Sequence, residues 1–356
     1  MKELQDDILR CMRCGFCRAV CPVFEETKLE SGVARGKLAI LEGLIEDELE
    51  LDESVVDKIF QCTLCRNCNE ECPAGVEIDS VILKARAEMF DKVDLPIYAH
   101  IAENVLEFGN PFAEEGEIEE EREAEFAYFP GCTSQYRATE IAKSVGSVLT
   151  KLGVDFQVTK NMCCGSPLIM MGRDSDARQV MKRHVQNLAK RNIKTLLVSC
   201  AGCYHALAHY YKDELKDAGI SVLHLTQFLN DLVEKHGIKF SKLDKTITYH
   251  DPCHLGRHSG IFEEPRRIIS SIPDVRFVEM SRHGRNARCC GAGGDLGLGY
   301  VPLSARIAKR RISDAVETGA EILVTACPTC YRTLSHPSKD LEVMDISMLV
   351  DRQLGG

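Results

Sequence analysis

The sequence predicts an α/β protein in which a helical N-terminal module precedes two copies of one α/β unit. Three observations predict it. One cysteine layout occurs twice. Cys253, Cys289-Cys290-Gly291 and Cys327-Pro328-Thr329-Cys330 are separated by 35 and 36 residues, and Cys132, Cys163-Cys164-Gly165 and Cys200-Ala201-Gly202-Cys203 by 30 and 35. Tyr128 and Tyr249 each stand four residues before the first cysteine, and Tyr204 and Tyr331 each follow the last. From Phe126 onward, short apolar runs alternate with amphipathic segments, the grammar of a layered α/β fold. Before residue 112 the apolar spacing is helical instead, as in Leu38, Leu41, Leu44 and Ile45.

The first module, 1–112, is organised by two cysteine runs. Cys11, Cys14, Cys17 and Cys21-Pro22 follow the spacing C-x2-C-x2-C-x3-C-P, and Cys62, Cys65, Cys68 and Cys72-Pro73 repeat it. This is the bacterial ferredoxin run, whose fourth cysteine serves the other cluster of the pair. The reading is therefore crossed: Cys11, Cys14, Cys17 and Cys72 for one cubane 4Fe–4S cluster, Cys62, Cys65, Cys68 and Cys21 for a second. Zinc wants four ligands in paired knuckles and fits two complete runs ending in Cys-Pro poorly. Helices are expected over Ala34–Asp47 and Val81–Phe90. Arg35 and Lys37 are expected on a solvated helix face, with contact to a cluster or partner as the alternative.

Residues 113–125 read as an acidic linker, since 114–125 holds eight glutamates. The first α/β domain is placed at 126–240 and the second at 241–356. Strands are expected at Phe126–Phe129, Thr195–Val198, Thr246–Tyr249 and Ile322–Val324. Helices are expected at Ile141–Leu152, Ala201–Tyr211, Leu225–Val233 and Arg306–Val316. A cysteine at the carboxyl end of a strand, before a helix, is where parallel sheets place their ligands.

The chain of 356 residues has a net charge of −10, which argues against nucleic acid as a partner. No apolar run approaches the roughly 18 residues of a membrane span, and MKELQDDILR has no apolar signal core, so a cytoplasmic protein is expected. Eighteen cysteines in that setting argue for metal rather than disulfides.

The helical module resembles the all-helical ferredoxin module in the iron–sulfur subunits of succinate dehydrogenase and fumarate reductase. The two five-cysteine patterns resemble the CCG domain, through Tyr128-Phe129-Pro130-Gly131-Cys132, Tyr249-His250-Asp251-Pro252-Cys253-His254-Leu255, Cys289-Cys290-Gly291-Ala292-Gly293-Gly294 and Cys327-Pro328-Thr329-Cys330. The whole layout is similar to the catalytic subunit of cytochrome-linked heterodisulfide reductase. Iron–sulfur subunits of glycolate, lactate and glycerol-3-phosphate dehydrogenases share it.

The resemblance implies two α/β CCG domains facing each other across a pseudo-twofold, each with a noncubane 4Fe–4S cluster held by five cysteinates. The first set is Cys132, Cys163, Cys164, Cys200 and Cys203; the second is Cys253, Cys289, Cys290, Cys327 and Cys330. It further implies that a disulfide, the coenzyme M–coenzyme B heterodisulfide, is split between the clusters. The alternative is an electron-transfer subunit of a flavin-dependent 2-hydroxy-acid or glycerol-3-phosphate dehydrogenase. A redox partner subunit is expected: a membrane cytochrome b holding the chain at the inner membrane face, a flavoprotein, or a hydrogenase or dehydrogenase module. His250 and His254, flanking Cys253, are the candidate proton donors. His205 is a weaker candidate, and Arg257 is a candidate contact for an anionic substrate, with a surface salt bridge as the alternative.

Overall fold

The computed structural model describes residues 2–115, 124–159, 162–338 and 341–355. Most of the acidic linker, 116–123, lies outside these described residues.

The N-terminal module has helices and turns and, among the described residues, no strand. Its longer helices are Ala34–Ile45, Glu53–Phe60, Ile78–Met89 and Pro96–Phe108. Their apolar faces, including Leu38, Leu41, Ile59, Phe60, Ile82 and Ala85, close on one another as a core. Asp52 caps Glu53–Phe60 by accepting from the Val55 N–H at 2.9 Å. Gly109 ends Pro96–Phe108 in the left-handed conformation. Lys37 departs from the solvated setting expected of it. It is 2% exposed and its Nζ donates to the Lys58 carbonyl.

Two four-stranded parallel sheets follow. Strands β1 (Phe126–Phe129), β2 (Gln157–Val158), β3 (Thr195–Val198) and β4 (Ser221–His224) lie in the order β2-β1-β3-β4. Strands β5 (Thr246–His250), β6 (Arg276–Phe277), β7 (Ile322–Thr325) and β8 (Glu342–Asp345) lie in the equivalent order β6-β5-β7-β8. Both central strands of each sheet are buried along nearly their whole length, as expected where helices cover both faces. The short β2, β4, β6 and β8 and the long helix Asp174–Lys190 have no counterpart among the elements expected from the sequence pattern.

The two units meet through matching elements. The helix after β1, Thr139–Lys151, lies on Ile346–Gln353, which follows β8; Glu263–Ser270, after β5, lies on Leu225–His236, which follows β4. Each contact pairs the helix after a unit's first strand with the helix after the other unit's last, as a twofold requires. One pair is joined by Ser147 and Lys151 to Asp351, at 2.6 and 2.8 Å, and the other by Arg267 to Asn230, at 2.8 Å.

Candidate functional site

All eighteen cysteines are free thiols, and they fall into three groups. Cys11, Cys14, Cys17 and Cys72 line one cavity, and Cys21, Cys62, Cys65 and Cys68 another. The fourth cysteine of each run thus faces the first three of the other. Left-handed residues recur at the same places in both turns, Arg13 and Gly15 in one and Leu64 and Arg66 in the other. They curl the backbone around each cavity, the geometry that turns N–H groups inward toward a negatively charged guest. Cys21-Pro22 opens the helix Pro22–Thr27, whereas Cys72-Pro73 opens a turn. The first group sits at the surface, with Cys14 exposed; in the second, Cys65 is buried.

The third group joins both α/β units. Cys132 and Cys200 follow β1 and β3, and Cys253 and Cys327 follow β5 and β7. Each pair therefore flanks the point where its strand order reverses, the place where open parallel sheets bind ligands. A cavity of about 120 Å³ between the units is lined by Cys132, Cys164, Cys200 and Cys203 from one and Cys253, Cys290, Cys327 and Cys330 from the other. Cys163 and Cys289 lie just behind it. Each is fixed by a backbone N–H at 3.4 Å, from Gly165 and Gly291 respectively. Sulfur meets sulfur through the site: Cys290 and Cys330 are 3.4 Å apart, and Cys200 contacts Cys327 across the divide. Neighbouring thiols drive these groups apart in acidity. Cys290 is held well below the ordinary thiol range by Cys289 and Cys330, while Cys330 is pushed well above it by Cys290 and Cys327. So dense a cluster of buried thiols, without disulfides, suits a soft metal or an iron–sulfur group.

The second unit also touches the N-terminal module. The Cys65 thiol contacts that of Cys289. A Cβ on Gly293 would lie 2.6 Å from the Thr63 carbonyl oxygen, and one on Gly294 would collide with that of Cys62. These glycines bring the Cys289–Gly294 loop directly against the Cys62 turn, a close approach no side chain allows.

The histidines divide. His254 lines the inter-unit cavity, and its ring stacks on His205 with centroids 5.3 Å apart. His250 is behind the sulfurs: its ring nitrogen and the Cys290 and Cys330 sulfurs lie within 4.8 Å of one another. Its Nδ1 accepts from Arg311 Nε at 3.0 Å, and burial pushes its pKa down to about 3, so the ring is neutral. Arg257 is not among the residues lining the cavity and donates to the carbonyls of Cys65, Arg285 and Ala287.

Asp295 is a site residue that sequence reasoning missed, although it directly follows Gly291-Ala292-Gly293-Gly294. It lines the cavity in a left-handed conformation, with φ of 58°, and its Oδ2 is buried without a hydrogen-bond partner among the described residues. Burial pushes its carboxyl up to about 7.

Comparison with known proteins agrees with this layout. The cysteine-rich CCG domain model matches residues 126–208 and 247–335, and a 4Fe-4S dicluster domain model matches 7–76. A dihydromethanophenazine:CoB–CoM heterodisulfide reductase subunit from Methanosarcina barkeri is 36% identical, over 97% of this chain and 93% of that one. A fumarate reductase (CoM/CoB) subunit from Methanothermobacter marburgensis is 29% identical, over 96% of this chain and 71% of that one. A crystal structure of a hypothetical protein from Helicobacter pylori has the same fold, with a TM-score of 0.66 at 10% identity over 99% of this chain and 73% of that one.

Proposed function

Starting from a chain that belongs to the CCG-domain iron–sulfur family, together with the heterodisulfide reductase subunit of Methanosarcina barkeri, we propose that it reduces a disulfide in the cavity between its two α/β units. The substrate class is a mixed disulfide of two small thiols, with the coenzyme M–coenzyme B heterodisulfide as the specific candidate. The observation that carries this reading is the single cavity lined by cysteines of both units, with neither five-cysteine set incomplete.

The residues fit the implied cofactors. Cys11, Cys14, Cys17 and Cys72 would hold one cubane 4Fe–4S cluster and Cys21, Cys62, Cys65 and Cys68 the other. Cys132, Cys163, Cys164, Cys200 and Cys203 would hold one noncubane cluster, and Cys253, Cys289, Cys290, Cys327 and Cys330 the second. When bound, such clusters pass electrons singly and offer iron to sulfur, so that two electrons and two protons convert one disulfide into two thiols. The chain's own groups set the rest. The Cys62 turn lies against the Cys289 loop, so the inner quartet adjoins the cysteines of the second unit. His254 faces the cavity where protons are needed, whereas His250, neutral and held by Arg311, orients the Cys330 side of the site.

The test is anaerobic. The purified protein should contain about sixteen irons per chain. It should oxidise a reduced viologen on addition of the heterodisulfide, and a thiol added to the oxidised protein should change its paramagnetic signal. Full iron content without disulfide-dependent turnover would overturn the reading. A second reading, an electron-transfer subunit serving a partner's active site, draws on the cysteine layout shared with the iron–sulfur subunits of flavin-dependent dehydrogenases. It predicts reduction of the clusters by a partner flavoprotein and no thiol effect on the signal.

A further inference from the structure

Three cations surround the inner cysteine quartet, Cys21, Cys62, Cys65 and Cys68, and among the described residues no carboxylate is ion-paired with any of them; Asp295 feels the charge of Arg86 but makes no ion pair with it. Lys37 is 2% exposed, Arg86 0% and Arg257 7%. Lys37 donates to a carbonyl and is drawn to the sulfurs of Cys62 and Cys21. Arg86 donates to the carbonyls of Cys62 and Phe60 at 2.8 and 2.9 Å, and onward to Gly294 and Met170 in the two α/β units. Arg257 reaches from the second unit to the Cys65 carbonyl at 2.6 Å. Among the described residues none of the three forms an ion pair. The acid at this cavity, Asp79, is already engaged by Arg66 and Asn69.

A buried cation without a counter-charge is strongly unfavourable, and three converging on one place call for an anion there. The outer quartet is unlike this. Its cation is Arg35, partly exposed and already paired with Glu30 at 2.9 Å.

We propose that Lys37, Arg86 and Arg257 are the counter-charge of the inner cluster, and that they make it the better electron acceptor of the two cubane sites. This rests on the reading that both quartets hold 4Fe–4S clusters. Reduction adds one negative charge to a cluster, so burial alone opposes it. In the same poorly screened surroundings, three fixed positive charges favour it. The three are therefore positioning residues. With both clusters bound, the three would favour passage of an electron from the outer quartet, where Cys14 is exposed, to the inner quartet, which adjoins the second unit through the Cys65–Cys289 contact.

The test is a redox titration of the iron-loaded protein followed by paramagnetic resonance. Cys14→Ser identifies the outer signal, because it alters that cluster's own ligand. In the wild type the inner signal should appear at the higher potential. Lys37→Gln, which keeps a donor for the Lys58 carbonyl but removes the charge, should move the inner midpoint to lower potential and leave the outer one in place. Lys37→Arg should restore it. Arg257→Gln, on a different unit, should move the same midpoint in the same direction and serves where Lys37→Gln loses iron. Two cubane signals that neither variant shifts, or a wild-type inner site below the outer, would overturn the proposal alone. A wild-type protein lacking the two signals would overturn the cluster reading and the proposal with it.

Discussion

The two α/β units share a strand order and a cysteine layout, yet their surroundings differ position by position. Phe129 of the first stands where the second has His250, by alignment of Tyr128 with Tyr249. Phe129 is an apolar core residue, whereas His250 heads a buried polar chain through Arg311 to Asp314. The Tyr128 hydroxyl bonds to Ser199 at 2.9 Å, whereas the Tyr249 hydroxyl has no partner among the described residues. His224 caps Leu225–His236 in the first unit, and Asp345 caps Ile346–Gln353 in the second. The sulfur of Cys289, in the second unit, meets Cys65 of the N-terminal module. Duplication therefore preserved what holds the cysteines and let the supporting shell diverge. That is the expected result where the two copies meet the N-terminal module through different elements, the first through Ser166–Met171 and the second through its Cys289–Gly294 loop.

The largest expected effect would show whether the copies remain equal in the chemistry. Cys164→Ala and Cys290→Ala should each reduce disulfide turnover to background, and the double variant should be no worse, because groups acting as one unit are not additive. Retained turnover in either single variant, with the other clusters confirmed by iron analysis, would break the equivalence.

Electron supply should instead be unequal. Cys65→Ser and Gly294→Ala both act where the second unit meets the inner quartet. They should depress turnover with a protein donor far more than turnover with a small dye that reaches the inter-unit cavity. Equal loss in both assays would argue against entry through this contact.

His250→Phe gives the second unit the residue of the first. It leaves the Arg311 Nε buried without its acceptor, a loss of about 1–3 kcal/mol of stability in denaturant unfolding. An unchanged midpoint would mean that Arg311 finds another partner.

The two caps should respond oppositely to pH. Burial pushes His224 down to about 4 and Asp345 up to about 7. The unfolded chain protonates His224 near pH 6.5, so its contribution is present above that value and lost as pH falls through about 4. The contribution of Asp345 is present below about pH 3.8 and lost as pH rises through about 7. His224→Asn should thus soften acid destabilisation, and Asp345→Asn should flatten the decline toward neutral pH, both read from denaturation midpoints across the range. The smallest effect lies at the interface helices: Asp351→Ala should cost at most about 1 kcal/mol, because its pair with Lys151 is partly exposed.

The helical first module and the two cysteine-bearing α/β units were legible in the residue order, because ligand spacing is local and a repeat declares itself in register. The central strands β1, β3, β5 and β7 were legible too, being continuous apolar runs buried on both faces. Edge strands such as Gln157–Val158 were not, because two residues carry no period. What surrounds the sulfurs was settled by folding alone. Lys37 lies on a helix face that reads as solvated, yet it is buried beside the Cys62 turn with its ammonium on the Lys58 carbonyl. Arg257 and Asp295 read as candidates for solvent or substrate, or as nothing at all. Their roles depend on which carbonyls and cavities distant segments bring to them. Burial, and with it the sign and strength of every charge near the cysteines, is a property of contacts between residues tens or hundreds of positions apart, and no local pattern encodes it.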